Sequence, residues 1–268
     1  MARLSLNQAT VKRATVAEAV EGCARHGIES IGLWREPVAE HGLGRTAKLV
    51  ADAGLRVSSL CRGGFFTAVD NRAALDDNRR AIDEAAALRT GTLVMVVGGV
   101  AGDKDLVGAR QRVADAIAEL SVHAGEAGVV LALEPMHPVF CADRGVLSTL
   151  SQALDIAERH PSVGVVVDAL HVWWDPDLDA QIVRAGPRIA SYQVCDWLTP
   201  VPADVLLGRG YPGDGAIDLH RLTRHVAATG YAGDVEVEIF NADIWAADLD
   251  EVVGEVARRY HDVVEPAL

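Results

Sequence analysis

The sequence predicts a (β/α)8 barrel on three grounds. Short runs of apolar and β-branched residues recur along the whole chain, and segments with helical periodicity separate them. Several runs are apolar almost without interruption, as at residues 93–97 and 163–167, which is typical of parallel strands covered on both faces. There are eight such runs, each far enough from the next to leave room for a helix and two loops. Eight strands that alternate with helices indicate a closed barrel.

The predicted elements follow one another in a regular order. The strands are predicted at residues 3–7, 30–34, 55–61, 92–97, 129–134, 163–168, 190–195 and 235–240. Helical periodicity is clearest at residues 16–24, 82–88, 113–124, 147–157, 220–228 and 252–260. A doubly wound open sheet is the competing fold, but it requires a glycine-rich turn after the first strand, and residues 6–10 contain no glycine. We therefore expect one (β/α)8 domain over residues 1–268.

The charge balance and the termini exclude several classes of protein. The chain has 38 acidic and 25 basic residues, a formal net charge of −13, which disfavours binding along a nucleic-acid backbone. No apolar run approaches the ~18 residues of a membrane span, and the first residues contain no hydrophobic signal core. The cysteines are far apart and form no CxxC pair, so we expect reduced thiols and a cytoplasmic protein. We predict a small-molecule substrate and neither nucleic acid nor membrane as partner, and leave a homo-oligomer open.

Polar side chains end four successive predicted strands, at the barrel face where active sites lie. Strands five to eight supply Glu134, Asp168, Gln193 and Glu238 in turn. Carboxylates this close cannot all stay ionised without a counter-charge. An all-oxygen ligand set favours a hard divalent ion. We therefore predict that these four residues bind one Mn²⁺ or Mg²⁺ ion, with Co²⁺ and Zn²⁺ as alternatives.

Further residues near strand ends are candidates for the substrate pocket. His171 follows Asp168 by three residues and is expected at the same site. Arg62 is placed to meet a hydroxyl, carboxylate or phosphate, while Trp34 and His137 are expected to shape the pocket. Glu236 is expected to point away from the mouth and to form a structural salt bridge.

One predicted connection, residues 197–217, is unusually long and rich in glycine and proline. Loops of this length in a compact barrel are usually functional or disordered. It contains Arg209, whose guanidinium can hold a substrate oxygen in a fixed fork. We expect this loop to close over the barrel mouth and exclude water.

Five short motifs, taken in order, resemble one family. They are Leu-Ala-Leu-Glu-Pro at 131–135, Asp168-x-x-His171, Gln193-x-x-Asp196, Arg209 ahead of Gly213-x-Gly215, and Gly230-Tyr231-x-Gly233 five residues before Glu238. Together they resemble the sugar phosphate isomerase/epimerase family of xylose-isomerase-like TIM barrels, and the resemblance covers the whole chain. Ketose 3-epimerases, hydroxypyruvate isomerase, keto-inositol dehydratase and an abasic-site endonuclease belong to that superfamily.

The resemblance implies a role for each of these site residues. Glu134 and Glu238 are similar to the family's pair of acid/base carboxylates and, with Asp168 and Gln193, to its metal ligands. His171 and Arg209 are similar to its contacts with substrate oxygens. Many relatives have histidine where Gln193 stands, whereas members like hydroxypyruvate isomerase have glutamine.

The predicted activity is a metal-dependent isomerisation or epimerisation of a small carbohydrate or hydroxy-carbonyl compound. A polarised carbonyl makes the neighbouring C–H acidic, and removal of that proton gives an enediolate. Dehydration of a keto-polyol shares this first half and is the alternative, as is a non-catalytic barrel that binds a metabolite. The endonuclease needs additional histidines, including ones from strands two and three, which here end in Trp34-Arg35-Glu36 and Cys61-Arg62-Gly63. That activity is therefore not expected.

Overall fold

The barrel is formed by parallel strands that neighbour one another in the order of the chain. A computed structural model describes residues 3–100 and 102–268, and in these residues eight strands close into the barrel. They are β1 (Leu4–Asn7), β2 (Ser30–Trp34), β3 (Arg56–Gly64), β4 (Thr92–Val96), β5 (Val130–Leu133), β6 (Val163–Asp168), β7 (Ile189–Val194) and β10 (Val235–Val237). Closure occurs where β1 pairs with both β2 and β10. The predicted fold class is confirmed.

Helices surround the barrel and connect its strands. They are α1 (Val16–Arg25), α2 (Arg35–His41), α3 (Leu43–Asp52), α4 (Arg72–Ala87), α5 (Leu106–Ala127), α6 (Leu150–Ala157), α7 (Ala169–Val172), α8 (Leu178–Ala185), α9 (Leu219–Ala228), α10 (Ala242–Ala246) and α11 (Leu249–Arg259). Several begin at a side chain that accepts a hydrogen bond from the first turn, such as Thr15 before α1 and Asp248 before α11. Among the described residues, no helix combines the length and the apolar character needed to cross a membrane.

The observed bounds differ from the predicted ones mainly at two strands. Strand β3 continues to Gly64, and the last barrel strand ends at Val237. Glu238 therefore lies just beyond the sheet, although its N–H still donates to the carbonyl of Val194 at 3.2 Å. The apolar pattern does not single out α2, α3, α7, α8 or α10. Most of these helices are short, so their periodicity spans too few turns to be distinctive.

The interior of the barrel is divided into an apolar and a polar side. Cys61, Val94, Ala132 and Val166, on β3 to β6, form a separate small apolar cluster. On the other side, Ser5 and Asn7 of β1 contact Ser58 and Glu236.

The expectation that Glu236 points to the opposite side from Glu238 and forms a salt bridge is wrong, because Glu236 lies inside the barrel, where it borders a cavity at the end opposite the mouth. Residues two apart on a strand face the same side, so Glu236 and Glu238 both point inward. Glu236 is buried, and neutral donors hold its carboxylate.

The long connection is folded back on itself by a short antiparallel pair, β8 (Asp196–Trp197) and β9 (Arg209–Gly210). The carboxylate of Asp196 organises this loop. It accepts from the backbone N–H groups of Trp197 at 2.9 Å, Gly213 at 3.0 Å and Ile217 at 3.0 Å. Arg209 is thereby brought to the barrel mouth.

A substitution at Gly64 tests the register of β3 against β4. The φ of Gly64 is +118°, and an added Cβ would lie 1.8 Å from the carbonyl oxygen of Val96. We expect Gly64→Ala to lower the free energy of unfolding by at least ~2 kcal/mol, from backbone strain and overpacking. Gly44→Ala is the control, because Gly44 is exposed in α3 with open space around it. Equal melting temperatures for the two variants would contradict the register.

A substitution at Asp196 tests whether its carboxylate holds the loop at residues 197–217 in place. Asp196→Ala should cost ~2–3 kcal/mol of stability, since charged acceptors of backbone hydrogen bonds are lost. Hydrogen–deuterium exchange should rise at residues 209–217 and not in the barrel strands. Asp204→Ala is the matched control, because Asp204 caps a neighbouring turn at Leu206 and does not contact Gly213 or Ile217. Uniform exchange across the loop in both variants would rule out this role.

Candidate functional site

Glu134, Asp168 and His171 meet at the carboxyl ends of β5 and β6. One possible ligand atom from each lies within 4.8 Å of the others, and all three side chains are buried. Asp168 caps α7, and its Oδ1 accepts from the N–H of Leu170 at 2.8 Å. Its Oδ2 has no hydrogen-bond partner in the described part of the chain. One carboxylate oxygen is therefore left for a ligand.

The hydrogen bonds of His171 define which of its nitrogens carries the proton. The backbone N–H of His137 donates to Nδ1 at 3.2 Å, and Nε2 lies 3.6 Å from Asp168 Oδ2. Arg209 Nη2 lies 3.5 Å from Nε2, at the limit of a hydrogen bond, so we assign the acceptor role to Nδ1. Burial and the charge of Arg209 hold the His171 pKa well below its usual value. The ring is thus neutral, and with Nδ1 as the acceptor its Nε2–H faces the cluster as a donor.

Gln193 lies between Asp168 and Glu236 in the sheet, as the register neighbour of both. Its Nε2 donates to Glu236 Oε1 at 2.9 Å. Its Oε1 is buried and, within the described residues, has no partner. The side chain therefore offers an oxygen that no other group among residues 3–100 and 102–268 satisfies.

Arg209 is buried in the site and pairs with Glu238. Its Nη1 donates to Glu238 Oε2 at 2.7 Å and lies 3.6 Å from Asp168 Oδ2. The guanidinium also lies over the ring of Phe240, 4.6 Å from the ring centre. The backbone of Arg209, in β9, is held in place because the side-chain amide of Asn241 donates to its carbonyl at 2.9 Å. Glu238 is thus paired with Arg209 and lies next to the group of Glu134, Asp168 and His171, whose charges it influences.

The carboxylates of the site are poorly compensated. Burial raises the pKa of Glu134 well above its usual value, and the charges of Glu238 and Asp168 raise it further. Burial raises the pKa of Asp168 to about 6 and also raises that of Glu238, although Arg209 opposes both shifts. One guanidinium does not balance three carboxylates. With two unpartnered oxygens beside them, these donors fit a hard divalent cation.

A cavity of about 210 Å³ leads to this centre. Glu134, His171, Arg209 and Glu238 line it, together with Trp34, Arg62, Lys12 and Arg144. An adjoining cavity of about 360 Å³ shares some of these residues, including Trp34 and Arg62. A larger cavity of about 410 Å³ lies at the other end of the barrel, where Arg56, Thr92 and Ala190 line it.

The remaining pocket candidates are placed differently. Trp34 and Arg62 line the cavity, but the ring of His137 packs against Trp197, with ring centres 4.8 Å apart. The backbone N–H of His137 contacts His171 in the site, and its ring lies beside Trp197 outside the residues that line this cavity. The sequence did not single out Lys12 or Arg144. Both lie in loops that follow strand ends, which is the signal that pointed to the other candidates.

Comparison with known proteins gives relatives with several activities. A solved structure of a protein from Sinorhizobium meliloti 1021 is 48% identical with a TM-score of 0.94, and the match covers 97% of each chain. The 3-dehydroshikimate dehydratase of Pseudomonas putida is 31% identical over 183 residues, which are 65% of this chain and only 27% of that protein. The ketose 3-epimerase of Arthrobacter globiformis is 26% identical over 230 residues, 82% of this chain and 72% of that one.

A second solved structure is similar in fold. The IOLI protein, solved with a binding zinc atom, is 23% identical with a TM-score of 0.87 over 99% of both chains. The family model described as a xylose isomerase-like TIM barrel matches residues 20–260. The chain therefore belongs to the family of xylose isomerase-like TIM barrels.

Proposed function

We propose that this protein is a metal-dependent isomerase or epimerase of a small hydroxy-carbonyl compound. Two buried oxygens in the crowded site support it most directly, because Asp168 Oδ2 and Gln193 Oε1 have no hydrogen-bond partner in the part of the chain that the structure describes. The proposed ligands of one divalent ion are Glu134, Asp168, Gln193 and Glu238. Similarity to a ketose 3-epimerase, and to the fold of a protein solved with zinc, agrees with this proposal.

When bound, the ion would supply Lewis acidity, which makes a C–H next to a carbonyl acidic. Glu134 and Glu238 are the proposed proton-transfer groups. Their raised pKa values suit groups that both accept and return a proton. The Nε2–H of His171 is placed to donate to the oxyanion of an enediolate, and Arg209 orients Glu238 through its 2.7 Å contact. Return of the proton to the neighbouring carbon isomerises the substrate, and return to the opposite face epimerises it.

A dehydratase is the second candidate. The similarity to 3-dehydroshikimate dehydratase favours it specifically. Both reactions begin with removal of a proton next to a carbonyl, so the same residues serve both. They differ in the second half, in which a dehydratase expels hydroxide from the neighbouring carbon instead of reprotonating a carbon.

We further propose that the substrate carries an anionic group. The carboxylates of Glu134, Asp168 and Glu238 would be balanced by Arg209 and a divalent ion, and Glu236 beneath them adds one more carboxyl group. Lys12, Arg62 and Arg144 line the same cavity and add positive charge to a chain whose net charge is −13. The charges of Lys12 and Arg62 face the rings of Trp245 and Phe65, at 4.7 Å in each case. A carboxylate or phosphate at this rim is the chemistry that these cations fit.

Metal content is the first test. The purified protein should hold about one divalent ion per chain, and a chelator should abolish activity until the metal is restored. Glu134→Gln and Asp168→Asn should each weaken metal binding strongly. The loss should exceed the ~10–100-fold that is typical when a residue that only supports a metal ligand is replaced. Glu119→Gln is the control, since Glu119 is an exposed acid paired with Arg79. Full activity in the chelated, metal-free protein would exclude this mechanism.

Substrate class is the second test. Ketoses, aldoses, keto acids and sugar phosphates are incubated in D2O, and proton NMR detects deuterium at the carbon next to the carbonyl. Arg62→Gln should lower kcat/KM ~10–100-fold for the anionic substrate, as expected for a lost hydrogen bond to a charged group. Arg184→Gln, on the outside of α8 and paired with Glu158, should change nothing. Exchange that is limited to neutral sugars would contradict an anionic substrate, and exchange with none of the compounds would favour a non-catalytic barrel.

A further inference from the structure

Glu236 is a buried carboxylate that the proposed reaction does not use. It lies two residues before Glu238 and faces the same interior, beneath the proposed metal ligands. Gly32 makes room for it, because a Cβ on Gly32 would lie 2.4 Å from Glu236 Oε2. Ser58 and Ser59 donate to that oxygen from β3. The polar side of the barrel is thus built around this one group.

A chain of hydrogen bonds determines which atom of the Asn7 amide faces Glu236. The backbone N–H of Ala9 and the indole N–H of Trp34 donate to Asn7 Oδ1, at 2.9 and 2.8 Å. Both groups are donors only. The amide of Asn7 is therefore fixed with its nitrogen toward Glu236, and Nδ2 donates to Glu236 Oε1 at 2.9 Å.

Oε1 of Glu236 accepts a hydrogen bond from Asn7. It is therefore an acceptor both in the ionised carboxylate and in a carboxyl group whose proton is on Oε2. The amide of Gln193 touches the same oxygen at 2.9 Å and must present its nitrogen. Its oxygen is then turned away from Glu236, and it is this oxygen that is buried and has no partner among the described residues.

We infer that Glu236 is a positioning residue that selects the amide orientation of Gln193, with the oxygen directed toward the metal centre. The inference rests on the proposed function, since it takes Gln193 to be a ligand. A glutamine amide binds a hard cation through oxygen and not through its NH2 group. Without an acceptor at position 236, the amide is free to turn over, and part of the population presents the wrong atom. Partners behind a ligand typically contribute ~10–100-fold to metal affinity.

The test measures Mn²⁺ affinity, from the EPR signal of the free ion, without any substrate. Glu236→Met removes the acceptor and should weaken binding ~10–100-fold. Glu236→Gln keeps an acceptor oxygen and removes the charge, so binding should stay within ~3-fold of the parent protein. Ser58→Ala removes a hydrogen bond to Oε2, which does not face Gln193, and should leave the affinity unchanged.

A double-mutant cycle separates positioning from a general structural effect. Gln193→Ala should weaken Mn²⁺ binding, and adding Glu236→Met to it should weaken it no further, because Glu236 acts through Gln193. Independent effects of the two substitutions would overturn the inference. Circular dichroism checks that each variant is folded. If Glu236→Met is not, Glu236→Asp, which shortens the reach of the carboxylate, replaces it with the same expected pattern.

The outcomes also distinguish this inference from the proposed function. A parent protein that binds no Mn²⁺ would overturn both. If the parent protein binds Mn²⁺ with the same affinity as Glu236→Met, or as Glu236→Asp where that variant replaces it, the positioning role alone is overturned.

Discussion

Burying several carboxylates in one barrel mouth is the constraint that organises this molecule. Closing parallel strands into a ring brings their carboxyl ends together, so Glu134, Asp168 and Glu238 are forced close to one another. Their repulsion must be compensated within the protein or by a bound cation. Arg209 supplies one positive charge from a loop that β8, β9 and Asp196 fold back over the mouth. The loop, the guanidinium and the centre therefore depend on one another.

Below the mouth, the interior of the barrel is divided into an apolar side and a polar side. The apolar cluster on β3 to β6 fills one side with packed side chains. The other side consists of hydrogen bonds among Asn7, Gln193, Glu236 and the serines of β1 and β3. Such bonds have direction, which apolar contacts lack. A polar half of this kind holds side chains in defined orientations, whereas the apolar half provides volume and stability.

The fold and the strand-end residues could be predicted because simple geometry determines them. Continuous apolar runs mark buried parallel strands, and strand ends share one face of a barrel. The roles of Asp196 and His137 depend on the path of individual loops, which periodicity does not describe. The inward position of Glu236 could have been predicted, because residues two apart on a strand share a face. The expectation that Glu236 and Glu238 face opposite sides was mistaken. The pairing of Arg209 with Glu238 joins residues 29 positions apart, and no local pattern indicates it.

The rim cations are opposite in sign to the net charge of the chain. Far from the surface, an anion meets a chain with a net charge of −13 and is repelled. Within about one Debye length of the mouth, ~10 Å at 0.1 M salt, it also meets the positive charges of Lys12, Arg62 and Arg144, with Glu36 and Glu40 in the adjoining cavity. Salt screens the distant repulsion more strongly than the close attraction. We therefore expect the association rate of an anion at this mouth to fall less steeply with salt than that of a protein whose overall charge attracts its ligand.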